Sequence, residues 1–90
     1  MQNIHAACRR GSLRTVEAVL SAEPAVIHAR DRRCRTALHV AAERGKESIV
    51  RLLLEHGAEV SPRDATGVTP LHKAACSGAI DAVRSLLAWG

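Results

Sequence analysis

Residues Thr36-Ala37-Leu38-His39-Val40-Ala41-Ala42 recur 33 positions later as Thr69-Pro70-Leu71-His72-Lys73-Ala74-Ala75. The register continues beyond that heptad: Gly45 falls over Gly78, Ile49-Val50 over Ala82-Val83, Leu53-Leu54 over Leu86-Leu87, and Gly57 over Gly90. An earlier copy lies 34 positions upstream of the middle one. There Ile4-His5-Ala6-Ala7 falls over Leu38-His39-Val40-Ala41, Gly11 over Gly45, Val16 over Val50 and Val19-Leu20 over Leu53-Leu54. The extra residue lies between Ser21 and Arg30, because Asp31 and Asp64 are again 33 apart. A chain that repeats itself at this period folds as an array of similar units, each resting on its neighbours.

The chemistry of one unit follows from its residues. Asp64-Ala65-Thr66-Gly67 is turn material, with a glycine available for positive φ. Thr69 suits an N-cap and Pro70 the first helical position. A short helix is expected to about Ser77, where Gly78 stops it. A second helix is expected from about Ile80 to Ala88, with Val83, Leu86 and Leu87 on one stripe at spacings of three and four. The middle unit repeats the plan: Thr36 as cap, a helix to about Arg44, a stop at Gly45, then a helix from about Lys46 to Glu55 closed by Gly57. Each helix pair has one apolar face too many, and stacking buries the surplus. The core residues are small: of 42 hydrophobic residues, 16 are Ala, 9 Leu, 8 Val and 4 Ile, with one Trp and no Phe or Tyr. Such side chains suit closely packed thin helices better than one globule around large anchors.

The pattern Asp64-x-x-Gly67-x-Thr69-Pro70-Leu71-His72-x-Ala74-Ala75-x-x-Gly78, followed by Val83-x-x-Leu86-Leu87, resembles the ankyrin repeat. The middle copy adds Leu53-Leu54-x-x-Gly57-Ala58-x-Val60. The resemblance covers nearly the whole chain. It implies an all-α ankyrin repeat solenoid of stacked helix-turn-helix units with β-turn or hairpin loops. One domain over residues 1–90 is expected, with repeats at about 1–30, 31–63 and 64–90. Cys34 stands where the family has its turn glycine, and Ala37 where it has proline. The first copy lacks both the turn and the Thr-Pro pair, and residues 21–30 lack a helix-closing glycine. His5, His39 and His72 would lie about 10 Å apart in a stack, too far for one metal to bridge. In units like these the resemblance implies that the histidine bonds turn backbone and ties the helices to the hairpin. His28 and His56 are expected to face solvent.

Several functions drop out. No apolar run approaches the roughly 20 residues that span a bilayer, and Met1 to His5 has no signal-peptide layout. The three cysteines, Cys8, Cys34 and Cys76, contain no CxxC spacing and are odd in number, against a disulfide framework or zinc finger. Free thiols favour a reducing compartment, cytoplasmic or nuclear. Cys8 is expected to fill the inner face of its helix, whereas Cys34 and Cys76 are expected to be accessible. The acidic residues are scattered, and Gly-rich phosphate loops and HExxH or GxSxG motifs are absent. The chain therefore offers no catalytic, cofactor-binding or metal-ligating set, and a non-catalytic interaction module or scaffold is expected.

Net charge is +4, from 13 basic and 9 acidic residues, and 11 of the 13 are Arg. In the ankyrin family partners are gripped by turn tips and the exposed side of the first helices. On this chain those places hold Arg30, Arg32, Arg33, Arg35 and Arg63 in turns, and Arg9, Arg10, Arg44 and Lys73 on first helices. Glu43 and Cys76 share the first-helix face. Arg suits a bidentate grip on carboxylate or phosphate, so the expected partner is a protein with an acidic or phosphorylated segment. The competing expectation is binding of nucleic-acid phosphates. The chain's pI of about 9.6 permits it, but Trp89 is the one stacking aromatic. A further expectation concerns the C-terminal edge. Val83, Leu86 and Leu87 should pack inward and leave Ile80, Ala82 and Trp89 uncovered, which implies a longer natural protein or self-association through that edge.

Overall fold

The computed structural model describes residues 3–89. Among these residues the chain forms six α-helices and no strand: α1 (Ile4–Arg10), α2 (Leu13–Ala22), α3 (Ala37–Glu43), α4 (Glu47–Glu55), α5 (Pro70–Ser77) and α6 (Ile80–Trp89). They pair as α1 with α2, α3 with α4 and α5 with α6. The first helices stack in the order α1, α3, α5, and the second helices in the order α2, α4, α6. This is the expected solenoid.

Short polar side chains start most of the helices. Asn3 accepts from the Ala6 amide at 2.7 Å, and Ser12 from the Thr15 amide at 3.3 Å. Thr36 and Thr69 each close a reciprocal capping box with the histidine three residues on. Capping satisfies amides that have no partner inside the helix. Between α3 and α4 the chain turns at Gly45 with φ 67°, and a Cβ there would lie 3.3 Å from the Ala79 Cβ of the next unit. Glycine at this position serves both the left-handed turn and the close approach.

The first connection differs from the second, as the missing glycine requires. Glu23 ends α2 with φ −141°, and Pro24 starts a 3₁₀ turn, Pro24–His28, that places Ile27 in the core. The extra residue of the first copy is thus accommodated by a Pro-initiated turn in place of a Gly-closed one. After α4, Gly57 takes φ 89° and the Ala58 amide bonds back to Leu53.

The core runs lengthwise through the stack: Ile4, Val16 and Leu20, then Leu38, Ile49, Leu53 and Leu54, then Ala74, Ala82 and Leu86. Cys8 lies in it as a buried apolar filler, and burial pushes its thiol up to about 12. The C-terminal edge departs from the expected pattern. Leu86 is buried and Val83 half-buried, but Leu87 is 61% exposed, while Ala82 is fully buried. The physical reason lies in the equivalent residues. Leu20 and Leu54 occupy the Leu87 position in earlier units and are each 2% exposed. That position faces the following unit, not its own helix partner.

Candidate functional site

Two aspartate-led turns build the candidate face. In the first, Asp31 Oδ1 accepts the Arg33 and Arg35 amides, both at 2.9 Å, and Oδ2 accepts Arg35 Nε at 2.8 Å. In the second, Asp64 Oδ1 accepts the Thr66 amide, the Thr66 hydroxyl and the Val68 amide at 2.8–2.9 Å. Cys34 takes φ 61° in the first turn where Gly67 takes 80° in the second. Both turns therefore have the same shape, and the cysteine carries the cost of a left-handed backbone.

These bonds set the charge of the carboxylates. Partial burial opposes ionisation of Asp31, but the Arg35 amide and guanidinium with the Arg33 amide outweigh it and bring the pKa down to about 2. The Val68 amide dominates at Asp64, and with both Thr66 donors it overcomes some burial to give about 2. Both acids are ionised at neutral pH, and their oxygens point into their own turns.

The turns are tied to each other and to the helices behind them. The Ala65 amide donates to Arg33 O at 2.8 Å. Arg30 Nη1 donates to Cys34 O at 2.9 Å and to Arg63 O at 2.7 Å, linking one turn to the next. His5 Nε2 donates to Arg35 O, and His39 Nε2 to Val68 O, each at 2.7 Å. Each histidine thus holds the turn of the unit that follows it. His39 is fully buried, and its Nδ1 accepts from the Thr36 amide at 3.1 Å. Burial pushes its pKa below the ordinary value, against the pull of the Val68 carbonyl and the Asp64 charge. His72 has the same capping box but an exposed ring, with no bond to a further turn among the described residues.

The basic residues singled out in the sequence separate into groups. Arg30 is held by two carbonyls, and Arg35 by Asp31 in an ion pair of 2.8 Å. Lys73 on α5 meets Glu43 on α3 at 3.5 Å. The Arg32, Arg33 and Arg63 side chains are exposed and have no intramolecular polar partner among the described residues. Arg33, Arg35 and Lys73 converge with Asp64, Ala65 and Thr66 on a cleft of about 330 Å³ between the turns and the first helices. Arg9, Arg10 and Arg44 are also exposed but sit at the other end of those helices, about 10 Å away given a 7-residue α1. Cys76 is exposed on α5, and Cys34 at the turn tip. No three His, Cys, Asp or Glu side chains are placed to hold a metal among the described residues. Nor is any described helix long and apolar enough to cross a membrane.

Sequence reading did not anticipate the internal engagement of Arg30 and Arg35. One signal was present: Arg30 and Arg63 are a full 33-residue period apart, which marks a place in the repeat as well as a charge.

A profile described as three copies of the ankyrin repeat matches residues 4–90. The chain belongs to the ankyrin repeat family. The ankyrin repeat domain of human ASB11 superposes over 100% of the chain and 40% of its own, with TM-score 0.93 and 29% identity. An ankyrin repeat protein of Rickettsia bellii is 43% identical over 61% of the chain. Mouse protein phosphatase 1 regulatory subunit 12A is 46% identical over 58% of it. The matched segments span 23% and 5% of those two relatives. Ankyrin repeats mediate protein–protein interaction, and the fold is typically non-catalytic.

Proposed function

We propose that this ankyrin array is a single binding domain that grips an acidic protein segment laid across its turn tips and first-helix face. The observation that carries the reading is an asymmetry between the two signs of charge. The Asp31 and Asp64 carboxylates are directed into their own turns, while Arg32, Arg33 and Arg63 extend outward unpaired among the described residues. The two turns bond their own aspartates internally and leave an outward positive field at their tips, which steers an anionic partner and fixes its register. Exposed thiols at Cys34 and Cys76 suit a reducing compartment, cytoplasmic or nuclear.

The test is fluorescence anisotropy with a labelled Glu-rich decapeptide and a single-stranded DNA oligonucleotide of equal charge. The peptide should bind the native chain and lose binding to an Arg32→Glu, Arg33→Glu, Arg63→Glu variant. These three are chosen because their side chains hold no turn together, the bonds of Arg33 and Arg63 being made by backbone atoms, so the variant should melt like the parent. Unchanged peptide binding refutes the reading, and tighter DNA binding replaces it with a nucleic-acid one.

A second reading rests on the other end of the stack. Ile80, Leu87 and Trp89 are 66%, 61% and 51% exposed on the last helix. A second copy covering this face would remove that apolar area from water. Light scattering should then show a dimer that Leu87→Glu converts to monomer. A strict monomer at high concentration ends this reading.

A further inference from the structure

We propose that the cleft between the two turns and α5 is a seat for one phosphoryl group, so that the acidic segment it takes is a phosphorylated one. This rests on the reading above and specifies the chemistry at its centre.

Three cationic side chains, Arg33, Arg35 and Lys73, line a space of about 330 Å³. That is the lower end of the range for small-ligand pockets, about 300–1,000 Å³. It suits the head of a single side chain. The Arg35 side chain is only 18% exposed and is oriented by its Nε bond to Asp31 at 2.8 Å. That bond uses Nε and leaves both Nη groups without an intramolecular partner among the described residues. A guanidinium fixed by one edge presents the other edge already oriented, which suits a planar grip on anion oxygens. Arg33 contributes a second, untethered fork. Lys73 contributes a point charge whose Nζ lies 3.5 Å from Glu43 Oε2. That contact is longer than the 2.7–2.9 Å typical of a charge-assisted bond, so the ammonium can turn into the cleft.

One acid lines the cleft, Asp64, and it bears directly on the ligand. Its Oδ1 accepts three donors of its own turn, at 2.8–2.9 Å, which offsets its field at the cleft. Asp31 behind Arg35 and Glu43 beside Lys73 balance two of the three cations. The preference for a phosphoryl group therefore rests on donor count: the Arg33 fork, the two free Nη groups of Arg35 and the Lys73 ammonium exceed what the two oxygens of a carboxylate accept. A phosphoserine brings a charge of about −1.5 to −2 and three acceptor oxygens, one for each cationic head.

The experiment compares three labelled decapeptides that share Glu-rich flanks and differ at one central residue: Ser, Glu or phosphoserine. Anisotropy titrations run at physiological salt against the intact chain. The phosphoserine peptide should bind about tenfold tighter than the Glu peptide, from the added charge and hydrogen bonds. Arg33→Gln and Lys73→Gln should each erase most of that difference while changing Glu-peptide binding less. Neither side chain takes part in the Asp31 bond network, which Arg33 enters through its backbone amide alone, and an unchanged thermal midpoint checks that the variants fold. Equal binding of the phosphoserine and Glu peptides overturns the phosphoryl seat but leaves the acidic-segment reading standing. Binding of none of the three overturns both. Persistence of the phosphoserine advantage in Arg33→Gln and Lys73→Gln also overturns the seat, since the added charge would then be met elsewhere.

Discussion

His39 and His72 occupy the same place in successive units, and replacing each with Leu should expose what holds the turns to the stack. Both histidines close a capping box on a threonine three residues earlier. His39 alone is fully buried and donates to the carbonyl of the next turn, Val68 O at 2.7 Å. His39→Leu leaves that carbonyl and the Thr36 amide without their partner. A buried group deprived of its hydrogen bond costs about 1–3 kcal/mol. Val68 is only half-buried, so the combined loss should be about 2–4 kcal/mol. His72→Leu removes a capping interaction in water, where solvent replaces it, and should cost about 0.5–1 kcal/mol. A domain of 60–100 residues loses about 4–8 °C in midpoint per kcal/mol. His39→Leu should therefore melt at least 8 °C below the parent by this scale, and His72→Leu within several degrees of it. The assay is urea and thermal unfolding at pH 7.5, followed by far-ultraviolet circular dichroism, with m-values compared to confirm a common unfolded state. The helix-propensity change is the same in both variants and cancels. Equal losses at the two positions would refute the claim that the bond between units carries the stability.

Stability should depend on pH in two stages. The His39 pKa is lowered by burial, so between its folded value and the ordinary 6.5 the unfolded chain binds more protons; stability is fully present above 6.5 and falls as pH drops below it. His39→Leu should remove this first stage from a melting-midpoint series taken from pH 8 to 5. Asp31 and Asp64 are lowered from 3.8 to about 2, so their contribution holds above 3.8 and is lost between there and about 2, as a steeper second loss of midpoint. Cys34→Gly should raise stability by about 0.5–1 kcal/mol: relief of the left-handed backbone exceeds the entropy cost of glycine. A lowered melting midpoint would contradict it. A maleimide counted by mass should label Cys34 and Cys76 in the folded chain and reach Cys8 only in denaturant, because Cys8 is buried with its thiol pushed up to about 12.

The helices were legible because their signals are local and repeated. Thr69-Pro70, Gly78 and the Leu86-Leu87 pair each act within a few residues, and a 33-residue period repeats the message. Burial in the stack was less legible, because it depends on which unit comes next. Leu87 shares a stripe with Leu86 on the sequence, yet one faces its own helix partner and the other the following unit, so their exposures differ by 59 percentage points (61% against 2%). The same cause separates His39 from His72. The basic face was legible as composition but not as roles. Arg30, Arg32, Arg33 and Arg35 are four similar letters in one turn, and no local rule distinguishes a guanidinium that reaches a carbonyl 33 residues away from one that reaches solvent. That distinction depends on the stack.

The turn chemistry connects the fold to the proposed site. A carboxylate at the head of each turn is required for shape, because it accepts the amides that a tight turn leaves without partners. Asp31 and Asp64 do this, so their negative charge is fixed in place by local structure. Each turn tip is then free to carry cations without collapsing onto its own acid, except where a guanidinium is positioned by one, as Arg35 is by Asp31. Stacking brings the two turns together through the Ala65 to Arg33 backbone bond and the Arg30 bridge. The result is an edge whose backbone is cross-linked from turn to turn and whose outward charges spring from it. An array of this kind can change partner by exchanging Arg32, Arg33 or Arg63 without touching the bonds that hold it together. Arg30 carries the same charge but belongs to the fold, and its replacement should register first as lost stability and only through that as lost binding, whereas Arg35 serves both, its Nε holding the turn and its Nη groups lining the cleft.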